Sequence, residues 1–266
     1  MTALARGLRI AGVGVVIVLA LVAILSALGA ELPRSPGVMS DSLGPENGER
    51  IDAYLARASA SLATVDGGDR GEGGDGDDAA FDDDDDETPA DAPRWALVTA
   101  GWAWTVPEAV GVVRELPRVS GLYVQVPAAG VAMPVTGVTL AEPPAGEATR
   151  GPVFERGLEQ VERRLDSGAP GAPGVPGTPA PPDADRAAAK NALTVSRLRA
   201  GEPGIIGLLV RGTTEQLRAV AAQPWVRAVE ALPPDAVWQR FAVRPLQPQQ
   251  TDAAFPLPDD APLPPA

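Results

Sequence analysis

Two stretches of this chain, far apart, carry the same succession of local signals. The first runs WALVTA (Trp95–Ala100), then Thr105-Val106-Pro107-Glu108, Pro117-Arg118-Val119 and GLYVQV (Gly121–Val126). The second runs IIGLLV (Ile205–Val210), then Thr213-Thr214-Glu215-Gln216, Pro224-Trp225-Val226 and an apolar run to Leu232. Short apolar runs bounded by turn formers predict strands at 95–100, 121–126, 205–210 and 226–232. Each T-x-x-E/Q predicts a capping box, in which the threonine hydroxyl accepts from the third helical N–H and the Glu or Gln reaches back to the cap's own N–H. Proline closes both helices because it cannot continue the ladder, so helices are expected at 107–116 and 215–222. The spacing from threonine to proline is 12 residues in one copy and 11 in the other.

A strand–helix–strand unit of this length is expected to form a parallel pair with a right-handed crossover. Two such units side by side predict an α+β domain, a ferredoxin-like βαββαβ sandwich with a four-stranded antiparallel sheet and helices on one face. The interval Pro127–Gly204 then reads as a helical insertion. Its first helix, over 152–165, has Phe154, Leu158, Val161 and Leu165 at offsets 0, 4, 7 and 11, and a second, Ala-rich helix is expected over 183–200. Upstream, Ile51, Tyr54, Leu55, Ala58 and Leu62 give an amphipathic helix over 48–64, which could cover the open face of the sheet or lie near a membrane.

Location is set by the stretch Ile10–Ala30, 21 residues without a charged side chain. At a rise of ~1.5 Å per residue it reaches about 31 Å, the thickness of a bilayer's hydrocarbon core. Arg6 and Arg9 precede it and Glu31 follows. The positive flank predicts a cytoplasmic N-terminus and an extracytoplasmic remainder, with the lipid bilayer as partner through residues 10–30. A cleaved signal peptide is the alternative, since Ala27 and Gly29 could form a small-x-small site, but its apolar region is usually only about 7–15 residues long. The expected organisation is 1–31 cytoplasmic N-terminus and transmembrane anchor, 32–65 juxtamembrane segment with the amphipathic helix, 66–93 acidic disordered linker, 94–245 α+β domain with a disordered Pro/Gly-rich insertion 167–185, and 246–266 disordered Pro-rich tail.

The net charge of −13 is a local property: Asp66–Asp91 holds 13 acidic residues and Arg70, and the rest of the chain has 22 acidic against 21 basic residues. No basic stripe exists to hold phosphate, so nucleic acid is not an expected partner. There is no His and no Cys. Imidazole bases, thiolate nucleophiles, ordinary zinc sites and disulfides are thereby excluded. Lys190 is the sole lysine and has no S-x-x-K context, and GxSxG, P-loop and post-strand GxGxxG patterns are missing. The acidic run Asp82–Glu87 lacks the D-x-D-x-D-G spacing of a calcium loop.

No catalytic, cofactor-binding or metal residue is assigned. Carboxylate chemistry would draw on Glu108, Glu115, Glu155, Glu159, Glu162, Glu202 and Glu230, expected mostly at caps or on solvated helix faces. Of the five tryptophans, Trp95, Trp102, Trp104, Trp225 and Trp238, all fall in or beside the repeat. Trp102 and Trp104, two apart, share a face if the strand continues. They are the candidate contact for a partner or glycan, and core packing is the competing use. The expected function is a non-enzymatic, membrane-anchored interaction or scaffold module of the cell envelope with a possible envelope protein partner; the alternatives are a cell-wall glycan-binding module and a carboxylate-dependent hydrolase.

The stretch LRAVAAQPWVRAVE (Leu217–Glu230) is similar to the helix–proline–strand step of subtilisin-type propeptide and inhibitor domains, a resemblance that implies the ferredoxin-like plan and no site residue. Anchor, long linker and small βαββαβ domain also resemble the architecture of peptidoglycan-binding SPOR proteins. The anchor, LGPENGER (Leu43–Arg50) and the Pro-rich finish together resemble single-pass envelope proteins of high-GC Gram-positive bacteria, which implies a location and no activity.

Overall fold

In the computed structural model the described residues are 41–63, 92–140, 147–168 and 183–265. The expected span Ile10–Ala30, nearly all of the acidic stretch and most of the Pro/Gly-rich insertion lie outside them. Among the described residues no helix is long and apolar enough to cross a membrane.

The fold is α+β, a five-stranded antiparallel sheet with five helices among the described residues. In chain order the elements are β1 (Ser42–Leu43), α1 (Ile51–Ser61), β2 (Arg94–Trp104), α2 (Val106–Val112), β3 (Arg118–Val124), β4 (Thr136–Thr139), α3 (Glu147–Asp166), α4 (Ala184–Arg199), β5 (Ile205–Gly212), α5 (Thr214–Ala221), β6 (Val226–Ala231) and β7 (Ala242–Val243). Both capping boxes form. Thr213 N donates to Gln216 Oε1 (3.0 Å) and Gln216 N to Thr213 Oγ1 (3.3 Å), while Thr105 N donates to Glu108 Oε2 (2.7 Å).

The sheet order is β4-β3-β5-β2-β6. The expected parallel pairs within each repeat unit do not form, because β5 lies between β2 and β3 and pairs antiparallel with both, while β6 pairs antiparallel with β2. The two units interleave, so every ladder of the five-stranded sheet is antiparallel. The interval between the units is also more than a helical insertion: Thr136–Thr139 adds β4 along β3, and Arg164 of α3 donates to the Gly137 carbonyl on that edge (2.6 Å).

The main core lies between the sheet and α2–α5. Ala96, Val98 and Ala100 of β2, Leu208 and Val210 of β5 and Val229 of β6 meet Val112, Phe154, Val161, Leu198 and Leu217 there. The opposite face is equally apolar. Trp95, Leu97, Leu209, Leu232 and Phe241 pack with Leu43, and Ile51, Tyr54 and Ala58 of α1 pack with Ala228, Leu246 and Ala254. Trp95 stacks on Trp238 with ring centroids 4.5 Å apart, and the guanidinium groups of Arg118 and Arg211 lie 5.1 and 5.6 Å from its ring.

Two segments assigned outside 94–245 are part of the domain, and of the two places expected for the 48–64 helix it takes the open face of the sheet. Residues 41–63, assigned to a juxtamembrane segment, dock on the second sheet face, where β1 pairs with β7 and α1 lies against β6. The tail from 246, expected to be disordered because of its prolines, is an ordered strap. Ala254 N donates to Glu49 O (2.8 Å), Ile51 N to Asp252 O (3.0 Å) and Ala261 N to Gly130 O (3.1 Å). Proline bars regular helix and sheet, but it does not prevent an extended chain from docking through its remaining polar groups and apolar side chains. Leu246 and Ala254 are fully buried, and Asp259 pairs with Arg186 and Lys190 of α4.

The acidic stretch thus leaves the domain after α1 and returns at β2, with Arg94 Nη1 bonded to Ser61 O (2.9 Å) across its base. Residues 63 and 92, on either side of the acidic stretch, both belong to this domain. If the tail is structural, Leu246→Ala should cost about 2–4 kcal/mol in urea unfolding, as for a buried leucine whose site cannot fully collapse. The surface change Pro258→Ala should stay within about 0.5 kcal/mol.

Candidate functional site

The repeat differs between its copies at the residue after the helix-closing proline: Arg118 in one, Trp225 in the other. Trp225 is 47% exposed and Trp102 49%, the two exposed tryptophans of the described residues. They sit on neighbouring strand ends. Gly101 N donates to Trp225 O (2.9 Å), and a Cβ at Gly101 would come within 3.2 Å of that same carbonyl oxygen. A glycine at 101 therefore favours the close approach of the two strand ends.

Trp102 is carried outward by an irregularity in β2. Thr99 pairs with Gly207 and Trp104 with Ile205, so extra residues on β2 face a shorter span of β5. Such a bulge redirects side chains at a strand end. Trp102 falls in this stretch, whereas Trp104, 1% exposed, returns to the main core. The expected Trp102–Trp104 platform is not formed, since only Trp102 reaches solvent. Trp225, noted in the sequence for its place in the repeat, takes the exposed position beside it.

Trp225 is exposed yet fixed. Its Nε1–H donates to Gln223 Oε1 (3.1 Å), and Gln223 Nε2 donates to the Val112 carbonyl at the C-terminal end of α2 (2.8 Å). The relay gives the carbonyl a partner that the helix cannot supply and holds the indole against a rigid element. Nothing in the sequence pattern announces it, because Gln223 and Val112 are distant in the chain.

Titratable groups converge elsewhere, under α1. Glu230, one of the acids weighed for carboxylate chemistry and placed in the 226–232 strand, is buried on β6. Its carboxylate accepts from Gly44 N (2.5 Å) and from Arg57 Nη1. Arg57 also donates to the Gly44 carbonyl (3.2 Å) and to Glu49 (2.9 Å). Burial pushes the Glu230 carboxyl up against the opposing pull of Gly44 N–H and Arg57, whereas the Arg57 hydrogen bond holds Glu49 below the usual carboxylate range.

The other acids named above are used structurally or lie at the surface. Glu108 caps α2, Glu162 pairs with Arg199 (3.1 Å), and Glu159 with Arg163 (3.6 Å). Among the described residues no group of three or more acidic, His or Cys side chains is placed to hold a metal ion. Comparison with protein families, with curated proteins and with solved structures finds no match for this chain.

Two measurements follow from these placements. Trp104→Ala should destabilise by about 3–5 kcal/mol and Trp102→Ala by no more than about 0.5, read by chemical unfolding. Tyr54 is buried and Tyr123 partly so: Tyr123 is pushed up to about 12 by burial, and Tyr54 is raised further by burial and by the Glu230 charge beside it. The folded chain should therefore show almost no tyrosinate absorbance at pH 10, where the unfolded chain is half ionised. Because the unfolded state loses these protons first, stability should fall as pH rises from about 10 to 12.

Proposed function

We propose that this chain is a membrane-anchored, extracytoplasmic, non-enzymatic module of the cell envelope that binds a protein partner through its Trp102–Trp225 end. The observation that carries the reading is the fixed exposure of Trp225. A large aromatic side chain left in solvent is unusual where it serves only packing, and one held in place by a hydrogen-bond relay loses little conformational freedom on binding. Trp102, half exposed on the adjoining strand end, adds a second aromatic side chain of the kind enriched at protein interfaces. Anchoring rests on Ile10–Ala30 and its positive flank.

We read the sheet and helices as a ferredoxin-like sandwich with an added edge strand. The support is the order β3-β5-β2-β6 with antiparallel neighbours, which is how two interleaved βαβ units arrange their strands. A glycan-binding role drew its support from Trp102 and Trp104 on one platform, and the burial of Trp104 removes that support. A hydrolase role would draw on Glu49 and Glu230, which meet at Arg57; there one guanidinium serves both acids as donor, the arrangement of a structural ion pair.

The test is co-purification from membranes with the full chain. A specific protein should be recovered with the unaltered chain and lost with Trp102→Ala, Trp225→Ala, since paired aromatic anchors are worth about 2 kcal/mol or more, roughly a 30-fold loss of affinity. Near-UV circular dichroism from the remaining buried tryptophans checks that the variant is folded. Undiminished recovery with the folded double variant, or retention on purified wall glycan that depends on Trp102, would overturn the reading.

A further inference from the structure

We propose that Arg118 and Arg211 form a binding site for carboxylate groups, at the Trp95 end of β2 and independent of the Trp102–Trp225 end. The two arginines are direct cross-strand partners, Arg118 on β3 and Arg211 on β5, and Arg211 is in turn the partner of Trp95 on β2. Side chains directly opposite one another share a face, so the two guanidinium groups and the indole form one row across three strands. Like charges so placed repel, and the pair costs the fold stability. No acid relieves the repulsion: among the described residues no carboxylate lies within ion-pair distance of either arginine.

Both groups are nevertheless held in place. Each guanidinium packs against the Trp95 ring, at 5.1 and 5.6 Å, and Trp238 stacks on the same ring. Each is tied to the protein through its Nε–H: Arg118 Nε donates to Ser120 Oγ (3.0 Å), and Arg211 Nε donates to the Pro93 carbonyl (3.3 Å). Among the described residues those are the bonds the two side chains make, so the Nη donors of both stay available. Neither side chain is sealed from solvent, as both are only half-buried. Stacking and the Nε bonds therefore orient two planar forks in advance of any ligand, which lowers the entropy lost on binding.

A carboxylate matches such a fork edge to edge through two parallel N–H···O bonds, and two adjacent forks suit a segment carrying clustered acids. Charge favours carboxylate over phosphate. The acidic stretch ends at Asp91, two residues before the Pro93 carbonyl that Arg211 holds. A phosphate dianion meets the field of that stretch with twice the charge of a carboxylate. Two sources can supply the carboxylates, this chain's own acidic stretch or an acidic segment of another protein.

The test follows the side-chain Nε–H resonances of Arg118 and Arg211 by NMR, in the full chain in detergent micelles, as a tetraglutamate peptide is added. A second chain has Asp82–Asp86 changed to Asn and Glu87 to Gln. Both resonances should shift and saturate with tetraglutamate and stay in place with tetraglutamine. Arg118→Gln or Arg211→Gln should weaken binding about 10-fold or more, read on the remaining arginine, because each removes one charge-assisted fork. Arg211→Lys should also weaken it, since lysine keeps the charge and loses the fork. Near-UV circular dichroism of the Trp95–Trp238 stack checks that each variant is folded. Binding strengthened at least ~5-fold by neutralising the acidic run names that run as the source, and binding left unaltered names an external acidic segment. No shift in either chain, equal shifts with tetraglutamine, undiminished binding in the folded Gln or Lys variants, or tighter binding of inorganic phosphate than of the peptide would overturn the proposal.

Discussion

Strand β2 is apolar on both faces, and this requirement organises the molecule. Ala96, Val98 and Ala100 point to one side and Trp95 and Leu97 to the other, all within the central part of the sheet. A sheet with one wet face needs one layer of helices; this sheet needs a cover on each side. The repeat supplies the first cover through α2 and α5, extended by α3 and α4. The second is assembled from the two ends of the described chain, residues 41–63 and the stretch from 233 onward, neither of which belongs to the repeat. Those ends must pair with each other to close over Trp95, which is why β1–β7 and the Gly48–Ala254 bonds exist.

This division explains what could be read from the sequence. The repeat strands, the capped helices and the amphipathic helix were legible because each is encoded within a dozen residues by periodicity, a capping box or a closing proline. Strand β4 was not, since TGVT is short and its pairing with Gly121–Val124 is decided by a neighbour rather than by its own pattern. The tail was misread because composition speaks to regular structure alone. Six prolines forbid a helix, yet Leu246, Ala254 and Asp259 still find partners on α1 and α4. The parallel pairs failed for a related reason: which strand lies beside β2 is settled by the whole sheet.

The candidate site was half legible. Tryptophans two apart on a strand should share a face, and the even-numbered positions of β2 do line one side as far as Ala100. The bulge after Thr99 then separates Trp102 from Trp104 in exposure, a feature with no local signature beyond Gly101. Trp225 was visible as an oddity of the second repeat copy. Its fixed geometry depends on Gln223 reaching Val112 across the fold, which only the tertiary structure brings about.

The Arg94–Ser61 bond, at the base of the acidic stretch, has a bearing on how such a chain can vary. Both flanks of that stretch are held on the folded body, and the entropic cost of joining two fixed points by a flexible chain grows only with the logarithm of its length, about 0.6 kcal/mol per doubling. Bringing Ser61 and Arg94 together therefore makes the fold of the body tolerant of the length of chain joined between them, so that length is a separate variable from the fold.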